Sequence, residues 1–155
     1  MIREHSCCFV GHGRLDSHEV QSISHNIYKL AEVFITHFGI WDFWFGSANV
    51  FDLVALNAVY SLKEKYKHIR LNLMLLRGKK NNSAAGLSEM TKKADRRMYI
   101  SGGDYFAYMA DRSSGCVCYL RDEISGTGEN VDYARSKGLR IYNVKDFRGM
   151  IIGYE

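Results

Sequence analysis

Two glycine-containing breaks are the features of this sequence best suited to chemistry. Gly11-His12-Gly13-Arg14 and Gly46-Ser47-Ala48 each follow an apolar, strand-like run and precede a helix-like run. A glycine lets the backbone turn sharply, and the N–H groups at the start of the next helix carry partial positive charge. This arrangement favours the binding of an anionic group such as phosphate. Such turns also form for steric reasons, and neither break matches GxGxxG or GxxxxGK[ST], so a purely structural role stays open.

Composition limits the fold and the classes of partner. The 155 residues are 46% hydrophobic, which is enough for one sizeable core, so we expect a single domain over residues 1–155. The net charge of +4 comes from 21 basic and 17 acidic residues spread along the chain, which suits an anionic small molecule or nucleic acid without requiring either. There is no signal-peptide pattern and no apolar run of the roughly 20 residues that a membrane span needs. We therefore expect a cytoplasmic protein with no membrane partner.

Four cysteines form two close pairs, Cys7-Cys8 and Cys116-x-Cys118. Both pairs lie in runs that we interpret as buried strands, where successive side chains point to opposite faces. At most three sulfurs can then share one face, which disfavours a four-cysteine metal site. We predict buried, reduced thiols, with no metal and no cofactor.

A strand, a small-residue turn and a helix recur in the first half of the chain. Asp16-Ser17-His18-Glu19 resembles a capping box, and apolar residues then follow the helical period. Runs of apolar residues predict the strands. The expected elements are strand one over 6–10, helix one from Asp16 to Gly39, strand two over 40–45, helix two from Val50 through about Tyr66, and strand three over 69–76.

The second half continues the alternation after a basic segment. Residues 77–97 form a mobile basic flap in this interpretation, which either closes over an anion or is a solvated insertion. The other expected elements are a short helix at Leu87 to Ala94, a short strand at Tyr99-Ile100, a helical stripe over 105–110, a fourth main strand over 116–120, a helix from Val131 to Gly138, and a last strand over 139–144. Together they predict an α/β fold, a single three-layer Rossmann-like domain with a mainly parallel central sheet flanked by helices and right-handed crossovers.

Three motifs at the ends of strands one, two and four carry a family resemblance. They are Cys7-Cys8-Phe9-Val10-Gly11-His12, Gly46-Ser47-Ala48 with Phe51-Asp52, and Ser125-Gly126-Thr127 with Val131-Asp132-Tyr133-Ala134. Together they resemble the SLOG superfamily of Rossmann-like nucleotide-binding domains, closest to its YpsA-like branch. The corresponding motifs of that branch are Cys-Cys-Phe-Thr-Gly-His-Arg, Gly-Gly-Ala with Phe-Asp, and Gly-Gly-Thr with Val-Glu-Tyr-Ala. This sequence departs from them at Val10, at Gly13 before Arg14, and at Ser47 and Ser125.

The resemblance implies a ligand in the crevice at the carboxyl ends of the strands. The residues expected to bind it are Gly11, His12, Gly13, Arg14, Gly46, Ser47, Ala48, Asp52, Gly126, Thr127 and Gly128. Backbone N–H groups of the first and third turns would hold phosphate, Arg14 would clamp it, and Ser47 would donate a hydroxyl hydrogen bond. Asp52 would accept bonds from sugar hydroxyls or, alternatively, stabilise the start of helix two. His12 would touch phosphate or orient its loop.

The relatives with an assigned chemistry are the Lonely-guy-type phosphoribohydrolases, which release a base from a nucleoside monophosphate. They use a Pro-Gly-Gly-x-Gly-Thr-x-x-Glu turn and an Arg four residues before a Met. Here Tyr105 takes the place of that Arg, and Asn130 takes the place of that Glu. Glu129 and Arg112 are the candidates to replace them. Because loss of one such group commonly removes a factor of about 100 to 10,000 in rate, we favour binding without turnover.

Three functions are therefore hypotheses. The first is a sensor or sequestering module for a nucleotide or nucleotide-derived ligand. The second is hydrolysis of a nucleotide N-glycosidic bond, with Glu129 or Asp52 as the carboxylate and Arg14 or Arg112 holding phosphate. The aromatic residues at Trp41, Phe43, Trp44 and Phe45, with ten tyrosines in the chain, predict a homo-oligomer or, alternatively, a tightly packed core. The third function is a DNA-processing-type nucleic-acid module that uses Lys79, Lys80, Lys92, Lys93, Arg96 and Arg97 with Tyr99.

Overall fold

The computed structural model describes residues 2–77, 86–101 and 104–145, and six strands in these ranges form one sheet. The strands are β1 (Ser6–Gly11), β2 (Asp42–Phe45), β3 (Arg70–Leu76), β4 (Arg96–Ile100), β5 (Gly115–Tyr119) and β6 (Arg140–Asn143). Their order is β4-β3-β2-β1-β5-β6, and every described pair is parallel. The chain steps outward from β1 to β4 and then returns to the other side of β1. The predicted Rossmann-like α/β fold is confirmed.

Five described helices cover the two faces of this sheet. They are α1 (Ser17–Phe38), α2 (Val50–Tyr60), α3 (Leu87–Lys93), α4 (Tyr105–Asp111) and α5 (Gly126–Ser136), with 3₁₀ turns at Arg3–His5 and Ser61–Glu64. Right-handed crossovers place α1, α2 and α3 on one face while the strands advance in one direction. After β4 the direction reverses, so the same handedness places α4 and α5 on the opposite face.

The core has one layer on each face of the sheet. Phe9, Phe43 and Phe45 are buried on the face that α1, α2 and α3 cover. Cys8 and Trp44 are buried on the face that α4 and α5 cover. Because neighbouring side chains of a strand point to opposite faces, the buried apolar residues of β1 and β2 fill both layers.

Two expectations about side chains depend on this core. All four cysteines are buried and free, which confirms the predicted thiols. In the described ranges, no group of three or more His, Cys, Asp or Glu side chains could hold a metal ion.

Phe43, Trp44 and Phe45 are buried inside the domain, so they do not supply an interface, and self-association stays a prediction. No helix in the described part of the chain is long and apolar enough to cross a membrane.

Local signals set the ends of the first two helices. The predicted capping box at Asp16-Ser17-His18-Glu19 begins α1, and Gly39 ends it with a φ of 69°, a left-handed conformation that glycine adopts readily. The prediction for helix two was too long, since α2 ends at Tyr60 rather than about Tyr66. The backbone there tightens into the 3₁₀ turn over Ser61–Glu64.

The segment expected as a mobile basic flap contains regular structure where it is described. Residues 78–85 lie outside the described residues. After them, α3 packs the fully buried Met90 into the core, and β4 spans Arg96–Ile100 rather than only Tyr99-Ile100. The sequence pattern predicts only the last two residues of this strand, because it is an edge strand that begins with two arginines and alternates between half-buried and exposed residues. No apolar run marks it.

Candidate functional site

The carboxyl ends of β1 and β5 meet where the strand order reverses, which is where open α/β sheets bind ligands. A cleft of about 300 Å³ lies there. All three predicted turns contribute to its lining, and the predicted residues that line it are Gly11, Gly46, Ala48, Asp52, Gly126 and Thr127. The fold thus brings together turns that are 35 or more residues apart in the sequence.

At two positions in the cleft, glycine is required because neighbouring side chains lie close to the backbone. A Cβ added to Gly11 would lie 2.5 Å from the Phe51 ring. One added to Gly46 would lie 2.9 Å from the Tyr105 hydroxyl oxygen and 3.2 Å from Asp52 Oδ2. Real Cβ atoms essentially never lie within 3.0 Å of a non-bonded heavy atom, so a side chain at either position would force the neighbouring side chain to shift. These glycines therefore let α2 and Tyr105 pack against the strand ends.

The loop after β1 is tied to the loop after β5 through His12. The backbone N–H of His12 donates to the Tyr119 carbonyl oxygen at 3.2 Å, and its Nε2 accepts a hydrogen bond from the Asp122 N–H at 3.3 Å. Partial burial, together with the Arg121 charge, lowers the pKa of His12, which favours the neutral ring that this bond requires. These contacts are those of a loop-orienting residue. Gly13-Arg14 is exposed beside it and outside the cleft lining.

Ser47 and Gly128 also lie outside the lining of the cleft. Their polar groups form hydrogen bonds within the protein instead. Ser47 is fully buried, and its Oγ donates to the Met74 carbonyl oxygen at 2.7 Å. The Gly128 N–H donates to Ser125 Oγ at 3.0 Å, which caps α5. In this arrangement neither the Ser47 hydroxyl nor the Gly128 N–H faces a ligand in the cleft.

Asp52 is the buried carboxylate of the cleft, with 5% of its surface exposed. Its Oδ2 accepts hydrogen bonds from the N–H groups of Ala48 at 2.9 Å and Asn49 at 3.3 Å, in a capping box that begins α2. Burial raises the pKa of Asp52 to about 6, although these two N–H groups oppose the rise. Within the described ranges no hydrogen bond reaches Oδ1. Asp52 therefore caps α2 and still has one oxygen available to a ligand.

Two residues at the start of α4, absent from the predicted set, line the same cleft. Asp104 caps the helix, since its Oδ1 accepts the Phe106 N–H at 2.9 Å. The Tyr105 hydroxyl accepts a hydrogen bond from the Ser47 N–H at 3.2 Å. Burial, reinforced by the Asp52 charge, raises the pKa of Tyr105 to about 12, so the phenol keeps its proton. An Asp just before an aromatic helical stripe is a cap signal, and the predicted strand at Tyr99-Ile100 ends shortly before it, so the sequence carries a signal for this position.

The start of α5 differs from the expected loop. The helix begins at Gly126 rather than Val131, so Gly126-Thr127-Gly128 forms its first turn. In the described structure no hydrogen bond reaches the N–H groups of Gly126 and Thr127. A Cβ added to Gly126 would meet nothing within 4 Å. Since α1 and α2 begin with capping boxes that hold Glu19 and Asp52, α5 presents the helix N-terminus best suited to an anionic group.

The two catalytic candidates do not line the cleft. Glu129 is exposed in the first turn of α5, and its neighbour Asn130 contributes to the lining instead. Arg112 follows the C-terminal end of α4, with its guanidinium 3.5 Å from the centre of the Tyr108 ring. Because α4 begins at the cleft and runs toward the start of β5, Arg112 lies at the opposite end of the sheet.

The basic residues of the nucleic-acid hypothesis are divided among several surfaces. Lys79 and Lys80 lie outside the described residues, whereas Lys92 and Lys93 end α3. Arg96 and Arg97 are consecutive in β4, so they point to opposite faces of the sheet. Their described hydrogen bonds agree, since Arg96 donates to Asn72 Oδ1 at 2.7 Å and Arg97 donates to the Thr91 carbonyl oxygen at 3.0 Å. The exposed Tyr99 lies on the same face of the strand as Arg97.

Comparison with known proteins adds no assignment to this geometry. A scan against protein-family models finds no matching family. A search of curated proteins finds no significant match.

Proposed function

We propose that this protein binds a nucleotide or nucleotide-derived ligand in the cleft at the carboxyl ends of β1 and β5, as a sensor or sequestering module. We also propose that it is a SLOG-type domain of the YpsA-like branch. One observation carries the proposal: Gly11, Gly46 and Gly126, from the three motifs of the resemblance, line a single cleft at the strand reversal.

The cleft offers separate places for the two halves of such a ligand. The N–H groups of Gly126 and Thr127 are suited to a phosphate group at the start of α5. Asp52 and Asp104 are suited to hydroxyl or amino groups, because carboxylates only accept hydrogen bonds when ionised. The buried side chains of Phe106 and Met109 complete an apolar wall for a base.

Retention of small molecules tests this proposal. The purified protein is mixed with AMP, ADP-ribose, NAD and cyclic nucleotides, and the retained and free fractions are separated by ultrafiltration and analysed by mass spectrometry. Retention of an intact nucleotide is the expected result. If no nucleotide in the panel is retained, the proposed ligand class is wrong.

A second candidate, hydrolysis of a nucleotide N-glycosidic bond, is favoured by one observation. Asp52 lines the cleft with a pKa of about 6, which lies in the range where a carboxyl group can exchange protons during catalysis near neutral pH. Appearance of free base from AMP, abolished in Asp52→Asn, would support turnover. Intact AMP after prolonged incubation would leave binding alone.

A further inference from the structure

The charge on the cleft wall is the opposite of what a polyphosphate site needs. In the described structure two carboxylates, Asp52 and Asp104, line the cleft, and no Lys, Arg or His side chain does. Arg121, on the loop after β5, is outside the lining and lies 3.9 Å from the Glu19 carboxylate. A second or third phosphate in this cleft would therefore meet negative charge, and no cationic side chain among the described lining residues would offset it.

The hydrogen-bonding groups of the wall suit an uncharged ligand part. Asp52 is 95% buried, and its Oδ1 has no described partner. Asp104 is exposed, and its described bonds from the Phe106 and Ala107 N–H groups both end on Oδ1. Asp52 Oδ1 is not among the fully buried side-chain atoms without a partner in the described structure, so it is accessible and can accept a hydrogen bond from a ligand donor. Hydroxyl and amino groups are such donors.

A negative group has one favourable place in the cleft. Of the helices that begin at this edge, α2 and α4 present the carboxylates of Asp52 and Asp104 to the cleft. The start of α5 presents the N–H groups of Gly126 and Thr127 instead, with open space beside Gly126. The carboxylate in the first turn of α5, Glu129, is exposed and outside the lining.

Building on the proposed function, we infer that the cleft selects ligands by charge. It recognises hydrogen-bond donors on an uncharged nucleoside-like part through Asp52 and Asp104, and it accepts at most one anionic group, at the start of α5. Nucleosides and singly phosphorylated nucleosides are then ligands, whereas nucleoside triphosphates are excluded.

Titration calorimetry at neutral pH with adenosine, guanosine and their 5′-monophosphates and 5′-triphosphates tests this selection. For the base that binds, we expect the triphosphate to bind at least about tenfold more weakly than the nucleoside or the monophosphate. The corresponding 2′,3′-dideoxynucleoside should also bind more weakly than the nucleoside, since it lacks the 2′- and 3′-hydroxyl donors. Triphosphate binding as tight as that of the nucleoside would overturn the charge selection and leave the proposed function intact. Binding of none of the six compounds would overturn the charge selection, and the proposed function would then stand only if the ultrafiltration panel retains another nucleotide.

A matched pair of variants locates the effect. Asp104→Asn keeps a capping side chain at α4 and removes one charge from the cleft wall. Asp132→Asn removes the same charge from an exposed position on α5, where Asp132 pairs with Arg135. We expect Asp104→Asn to reduce the ratio of the triphosphate to the nucleoside dissociation constant several-fold. Asp132→Asn should leave this ratio unchanged. Equal effects of the two variants would assign the selection to overall charge and overturn the role of the cleft wall.

Discussion

Asp42 and Asp52, two buried aspartates at opposite ends of the sheet, differ sharply in their hydrogen-bond partners. Asp42, at the start of β2, is fully buried, and nitrogen donors reach both of its oxygens: Arg70 Nε at 2.7 Å, Asn72 Nδ2 at 2.8 Å and Trp44 Nε1 at 3.1 Å. Asp52, at the cleft, has only two described backbone donors, both on Oδ2, and no cationic partner among the described side chains.

The difference separates a structural carboxylate from a candidate functional one. A buried charge that is paired and hydrogen-bonded on every side leaves nothing for a ligand and serves the fold. A carboxyl group that lies buried in a cleft, with a raised pKa and one oxygen without a hydrogen-bond partner, is typical of a binding or catalytic group. We therefore assign Asp42 to stability and Asp52 to the site.

The largest expected effect is that of Asp42→Asn. The amide removes the negative charge beside Arg70 and places an NH₂ group among hydrogen-bond donors. Breaking a buried pair in this way costs about 3 to 5 kcal/mol. Urea unfolding measures the loss, and Asp52→Asn is the matched control, which at neutral pH should cost far less. Equal losses in the two variants would remove the distinction between the two aspartates.

The pH dependence of stability sharpens the same comparison. The pKa of Asp52 is raised from 3.8 to about 6, so the folded protein holds this proton more tightly than the unfolded chain does. Asp52 therefore favours the folded state at acidic pH, and this contribution is lost as the pH rises from about 4 to about 6. Relative to Asp52→Asn, the free energy of unfolding of the wild type should fall across this window by up to about 3 kcal/mol.

Urea unfolding at a series of pH values checks this expectation. Asp104 is present in both proteins, and Tyr105 has a pKa of about 12, so neither distinguishes the two curves in this range. Parallel curves for the wild type and Asp52→Asn would show that Asp52 titrates normally, and they would contradict its assignment as an incompletely partnered buried carboxylate.

Two glycines in the first turn of α5 give a smaller effect on stability. A Cβ added to Gly128 would overlap the Glu123 carbonyl oxygen, whereas one added to Gly126 would meet nothing. We expect Gly128→Ala to lower the free energy of unfolding by about 2 kcal/mol. Gly126→Ala should leave it unchanged or raise it by up to about 1 kcal/mol. Thermal unfolding compares the two variants. Equal losses would mean that the open space beside Gly126 is filled.

The smallest effect is expected at Tyr105. Tyr105→Phe removes a hydroxyl that accepts a hydrogen bond from the Ser47 N–H and also hydrogen-bonds with the Ser47 side chain, and it keeps the ring. The loss of stability should be about 1 kcal/mol or less, in keeping with a cleft residue rather than a core residue. A loss comparable to that of Asp42→Asn would place Tyr105 with the structural network instead.

The fold was largely predictable because its central elements are marked locally. Local sequence signals predict α1 and the first three strands directly. These signals are the capping box before α1, Gly39 after it, and the apolar runs of β1, β2 and β3. β4 carries no such mark, since an edge strand with half-exposed arginines does not need an apolar run. The start of α5 was predicted five residues late, because Gly126 and Gly128 are typical of a loop, and only the Ser125 cap shows that they are helical.

The candidate site was predictable only in part, for a physical reason. Glycines at strand ends indicate a crevice in any parallel sheet, so Gly11, Gly46 and Gly126 could be placed together from the sequence. Asp104 was not included, because none of the three motifs contains it, although it lies between the predicted strand at Tyr99-Ile100 and the helical stripe over 105–110. The sequence also does not show which polar groups the fold itself uses, and the Ser47 hydroxyl is taken by a backbone carbonyl oxygen.

The most direct test of the central claim is nucleotide retention by wild type, Gly126→Leu and Ser136→Leu, measured by ultrafiltration of the same panel. Leucine at 126 enters open space at the cleft, whereas leucine at 136 changes the exposed far end of the same helix. The account predicts that wild type and Ser136→Leu retain a nucleotide and that folded Gly126→Leu does not. Equal retention by all three proteins would contradict the assignment of the cleft as the ligand site.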